Sequence, residues 1–152
     1  MAAAAKMKCL IAMFTVVLLT ALLLAAPGRI SAGDKYQELI NCALHAGPCS
    51  QTLGGVEVTL EVTPKPIKAM QDLSFKVTLT GKLSPAPRAP YIDLGMPGMK
   101  MGPNRVQLKS AGNDAYEGRG VIVRCPSGRR IWRATVIIPA VGQADFIFDV
   151  IY

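Results

Sequence analysis

The chain has 152 residues, a formal net charge of +7 and 51 % hydrophobic residues. These figures divide at Ala32: the first 32 residues hold 24 of the hydrophobic residues and three of the cations, so residues 33–152 form a stretch of ordinary composition at +4. About 120 residues build one modest core, which excludes a multidomain enzyme, and a charge this small excludes a nucleic-acid partner held by phosphate contacts.

Lys6 and Lys8 precede a run over residues 9–26 that is apolar at all but Thr15 and Thr20, and Pro27, Gly28 and Ser31-Ala32 follow. Charged, apolar and small-residue segments in that order predict a secretory signal. The same run is just long enough to cross a bilayer as a helix, so cleavage after Ala32 and retention as a membrane anchor over residues 9–26 both stay open. Either outcome exports the rest of the chain to the periplasm or beyond, because the positive end stays inside. The expected organisation is a signal or anchor over residues 1–32, a short helical lead-in with Cys42 and Cys49 over residues 33–50, and a β domain over residues 51–152.

In the lead-in, Tyr36, Leu39, Ile40 and Leu44 recur at helical spacing, and Gly47-Pro48 ends the pattern, which predicts an amphipathic helix from Asp34 to Leu44. The period then changes to two. Val56, Val58, Leu60 and Val62 alternate with polar residues, as do Leu73, Phe75, Val77 and Leu79, and Pro64-Lys65-Pro66 separates the two runs. Further strands are predicted over residues 91–95, 105–108, 116–124, 131–138 and 144–151, with Pro-Gly, Asn-Asp and Ser-Gly breakers between them. About seven short strands, with Trp132 as a core anchor, predict an all-β antiparallel sandwich of immunoglobulin-like type.

If the strands run up and down, the connections over residues 64–72, 96–104 and 125–130 share one end. That end collects Met70, Met96, Met99, Met101 and Cys125. Thioethers are soft neutral donors suited to Cu(I) outside the cytoplasm, so Met96, Met99 and Met101, with Cys125 as a fourth donor, are the candidate metal ligands. Methionines that merely plug an irregular gap are the competing reading, and Met96, in phase with Ile92 and Leu94, fits it best.

Once Cys9 is assigned to the leader, Cys42, Cys49 and Cys125 remain, enough for one disulfide and one free thiol. A Gly54-Gly55 hairpin would fold Cys49 back toward the Cys125 end, which favours Cys49–Cys125, with Cys42–Cys49 as the alternative. Cys42, His45 and Cys49 also have a spacing that suits zinc, but lack the paired Cys-x-x-Cys knuckle. His45 then reads as an exposed residue at a helix end. Arg124, Arg129 and Arg130 bracket the Cys125 turn and are the candidate contacts to an acidic protein partner or to anionic headgroups. Catalysis finds no constellation, since His45 is the only histidine and Ser127 has no nucleophile-elbow context. The chain is therefore read as a non-enzyme.

The run Asp93-Leu94-Gly95-Met96-Pro97-Gly98-Met99-Lys100-Met101-Gly102, then Tyr116-Glu117-Gly118 and Gly128-Arg129-Arg130-Ile131-Trp132-Arg133-Ala134-Thr135-Val136, resembles the YtkA-like and FixH-like group. These are small exported or membrane-anchored immunoglobulin-like domains of bacteria, and the similarity covers roughly residues 55–152. The resemblance implies an accessory role near the cytoplasmic membrane in copper handling or oxidase assembly, with Met96, Met99 and Met101 as the positions of interest. The companion histidines of many periplasmic copper sites are missing, which leaves Cu(I) rather than Cu(II).

Overall fold

Alternating side chains make strands whose partners are set by burial, and the computed structural model pairs them into two antiparallel sheets. It describes residues 34–37, 39–81 and 88–152. The expected signal or anchor over residues 1–32 lies outside the described residues. Nine strands are described: β1 Cys49–Leu53, β2 Val56–Thr63, β3 Asp72–Gly81, β4 Tyr91–Gly95, β5 Arg105–Gln107, β6 Lys109–Gly112, β7 Ala115–Val121, β8 Ile131–Ile138 and β9 Gly142–Asp149. One sheet has the order β1-β2-β3-β7-β6, the other β5-β4-β8-β9. The fold is all-β and sandwich-like, and residues 32–152 make one compact unit that contains the whole described core.

The period-two reading holds in β2, β3 and β4. Val56, Val58, Leu60 and Val62 of β2 and Leu73, Phe75, Val77 and Leu79 of β3 all point into the core, as do Ile92 and Leu94 of β4. Trp132 is fully buried and lies opposite Phe148, while the small Ala134 lies opposite Phe146, so large and small side chains interdigitate between β8 and β9. Thr135 is the one buried polar residue of the described core, and its hydroxyl donates to the Asp145 carboxylate at 2.6 Å.

Seven expected strands became nine because two lack an apolar rhythm. β6 is exposed at all four positions, so nothing in Lys109-Ser110-Ala111-Gly112 announces a strand. β1 buries none of its five residues fully; it is joined to β2 by the expected two-residue Gly54-Gly55 turn, in which both glycines have positive φ.

The amphipathic helix from Asp34 to Leu44 is corrected. Helical structure is described only for Asp34–Gln37. Beyond it the N–H groups of Asn41 and Cys42 both donate to the Ile147 carbonyl, so the chain is drawn onto the open edge of β9. Leu44 is fully buried while Leu39 is exposed, which no single helical face would give.

The segment from Arg105 to Gly112 crosses from one sheet to the other. β5 pairs with β4, β6 pairs with β7, and only Leu108 lies between them. This crossing brings β5 against β7 and explains two glycines of β7. A Cβ on Gly118 would sit 2.3 Å from the Gln107 carbonyl oxygen, and one on Gly120 would sit 2.5 Å from Val106 Cγ2. The first obstacle is backbone and has nowhere to go. Gly118→Ala is expected to lower stability by about 1–3 kcal/mol, read as a lower urea midpoint. An unchanged midpoint would mean that β5 and β7 are not in contact.

Candidate functional site

The sulfur-bearing end begins with a tight turn. Met99 N–H donates to the Met96 carbonyl at 3.2 Å, with Pro97 and Gly98 between and φ of +68° at Gly98. Pro followed by Gly at the two central positions is what a type II turn requires. Crowding demands the same glycine, because a Cβ there would lie 2.9 Å from the Tyr36 hydroxyl. Tyr36 thus lies over the turn. The Arg129 guanidinium stacks on the Tyr36 ring at 3.9 Å and donates to the Pro97 carbonyl at 2.5 Å. Three distant stretches of chain are clasped together here.

The methionines fall into two kinds. Met96 is 1 % exposed and belongs to the core, whereas Met99 and Met101 are half-buried and pack against it.

Cys125 is set in a second turn, in which Gly128 N–H donates to the Cys125 carbonyl at 3.0 Å. The expected Cys49–Cys125 disulfide is corrected: Cys42 and Cys49 are bonded, with Cα atoms 5.8 Å apart, and Cys125 is a buried free thiol. The sheet order supplies the reason. β2 and β3 lie between β1, which carries Cys49, and β7, which leads to Cys125, and three strand spacings of roughly 4.8 Å far exceed the reach of a disulfide. The disulfide also removes Cys42 and Cys49 as zinc ligands.

The Cys125 thiol lies 3.0 Å from the Ser127 hydroxyl. That hydrogen bond lowers its pKa below the ordinary thiol value; burial opposes the shift, and the backbone N–H groups of Ser127 and Arg129 and the Arg129 charge add to it.

One hydroxyl ties this end together. Tyr152 Oη accepts from Cys125 N–H at 3.1 Å and from the buried Trp132 indole N–H at 3.2 Å, and it donates to the Arg129 carbonyl. Its hydrogen-bonding capacity is then filled. Arg124 lies over the Tyr152 ring at 5.6 Å. Neither Tyr36 nor Tyr152 stood out as a functional position in the sequence; the only signal was a lone aromatic at each end of the domain.

The three candidate arginines have different roles. Arg129 is half-buried and engaged with Tyr36 and Pro97, while Arg124 and Arg130 are exposed. His45 is not an exposed helix end: Ile67 N–H donates to its Nδ1 at 3.1 Å, so the ring proton lies on Nε2, which donates to the Asp149 carbonyl at 3.0 Å. With both nitrogens used, His45 pins the lead-in to the domain. Among the described residues no group of three or more His, Cys, Asp or Glu side chains is placed to hold a metal ion.

The three connections expected at one end are joined there, since Arg129 bonds Pro97 and Met70 N–H donates to the Ile122 carbonyl at 2.8 Å. Comparison with family models, curated proteins and solved structures gives no match.

Proposed function

We propose that this protein is an exported accessory domain, immunoglobulin-like in type and akin to the YtkA-like and FixH-like group, that carries Cu(I) at its sulfur end. The observation behind this reading is the free thiol. Cys125 takes no part in the disulfide, its pKa is lowered, and its turn leads directly into Arg129, which reaches the methionine turn. Met96 is committed to the core, so the donors offered are Met99, Met101 and Cys125. One thiolate and two thioethers are an all-sulfur set of the kind that suits a soft monovalent ion, and the thiolate offsets the charge of Arg129. Weakly held thioether ligands favour passing the ion on over storing it.

The test is anaerobic Cu(I) competition titration of residues 32–152. One ion per protein is expected, with affinity lower by at least about tenfold in Met99→Leu/Met101→Leu, a volume-conserving change that leaves the fold intact. Unchanged affinity in that variant and in Cys125→Ala would remove this end from copper chemistry.

The Arg129–Tyr36 clasp favours a second reading. It pre-organises the same end as a metal-free contact surface, with Arg124 and Arg130 as its rim toward an acidic partner in the envelope.

A further inference from the structure

We propose that the tip of the sandwich formed by Lys68, Met70, Val123, Arg124 and Ile151 docks on an anionic lipid surface. Backbone hydrogen bonds put these residues side by side. The stretch Ile67-Lys68-Ala69-Met70 lies between the two sheets at this end: Ile151 N–H donates to the Ile67 carbonyl, Ala69 N–H to the Ile151 carbonyl, and Met70 N–H to the Ile122 carbonyl. Ile67 and Ile122 turn inward and are fully buried, which leaves their neighbours facing out.

Met70 is 69 % exposed, Val123 42 % and Ile151 38 %. They are three of the five large apolar side chains exposed among the described residues, gathered at one end. Met70 also holds φ of +59°, a conformation that disfavours any side chain but glycine's, so the backbone is strained while an apolar side chain is held out in solvent.

Lys65, Lys68, Arg124 and Arg130 surround this apolar tip, are all exposed, and form no ion pair with the described residues. Two acids lie close by, Asp72 at the start of β3 and Asp149 at the end of β9, against the four cations. Apolar side chains that enter the headgroup region, ringed by cations that meet lipid phosphates, are the two signals that together give stable surface binding. The make-up of the tip favours lipid over an acidic protein: exposed apolar side chains beside cations unpaired among the described residues suit an apolar layer topped by phosphates, and no shaped pocket is needed to receive them.

Sedimentation of residues 32–152 with vesicles of phosphatidylcholine containing about 30 % phosphatidylglycerol tests this. Binding is expected to the mixed vesicles but not to pure phosphatidylcholine, and to weaken with salt. Lys68→Ala and Arg124→Ala should each weaken it about fivefold, and Met70→Asp should abolish it. All three side chains are exposed, so unchanged melting temperatures will show that the variants stay folded. Equal binding to both vesicle types, or full binding by Met70→Asp, overturns the proposal. So does retention on immobilised poly-glutamate without any binding to vesicles, which would make the tip a protein dock.

Discussion

Tyr152→Phe is expected to destabilise the domain by about 2–4 kcal/mol, although it deletes one oxygen atom. Without that oxygen the Trp132 indole N–H, the Cys125 N–H and the Arg129 carbonyl all lose their partner at once. Trp132 is fully buried, so water has no ready route to replace the lost bond. Trp132 is also the only tryptophan, and its fluorescence reports the urea transition directly. The Cys125 turn should loosen in the same variant, seen as faster alkylation of the thiol under native conditions. A loss below about 1 kcal/mol would mean that the three groups find other partners and that Tyr152 is not the hub of this end.

The second large effect concerns the disulfide. Cys42 and Cys49 are seven residues apart, and closing so short a loop restricts the unfolded chain by about 2.5 kcal/mol. The folded state loses as well, because Cys42 belongs to the stretch that covers the edge of β9. Asn41 accepts there from Ile147 N–H at 2.8 Å and donates to the Asp145 carbonyl at 3.0 Å. Cys42→Ala/Cys49→Ala is therefore expected to unfold at a clearly lower temperature and to be indifferent to reductant, whereas Cys125→Ala, which leaves only a small cavity, loses less stability and keeps its sensitivity to reductant. Peptide mapping of the unreduced protein should recover Cys42 linked to Cys49 and Cys125 as a single alkylated thiol. A linked Cys125 would refute the assignment.

The long strands were legible because one rule decides them. Each apolar residue from Val56 to Val62 and from Leu73 to Leu79 lies two positions from the next, and a one-residue slip would expose them all. β4 was readable to the residue for the same reason, and β8 as a short, mostly apolar run buried on both faces. β6 was not, since its role is to continue β5 into the other sheet, a matter of backbone direction that leaves no apolar trace in Lys109-Ser110-Ala111-Gly112. The lead-in misled because Tyr36, Leu39, Ile40 and Leu44 mimic a helical stripe, while Asn41 and Cys42 find better partners on β9 than a further helical turn would give them. The cysteine pairing turned on strand order, which hairpin geometry alone cannot supply. At the site, the Met-Pro-Gly-Met turn and the burial of Met96 followed from local chemistry and phase. The Arg129, Tyr36 and Tyr152 network joins residues far apart in the sequence, and only the assembled sandwich brings them together.

The crossing at Leu108 and the cover over β9 treat the two sides of the sandwich differently. The first ties the two sheets together along one side; along the other, Asn41, and Gln51 of β1, which donates to the Asp145 carbonyl, occupy the rim of β9. Strand addition at β9, in which a second polypeptide extends the sheet through free N–H and C=O groups, finds that border already taken. Under the proposed function, contacts with other molecules fall to the end that gathers cations, half-buried sulfur and a projecting Met70.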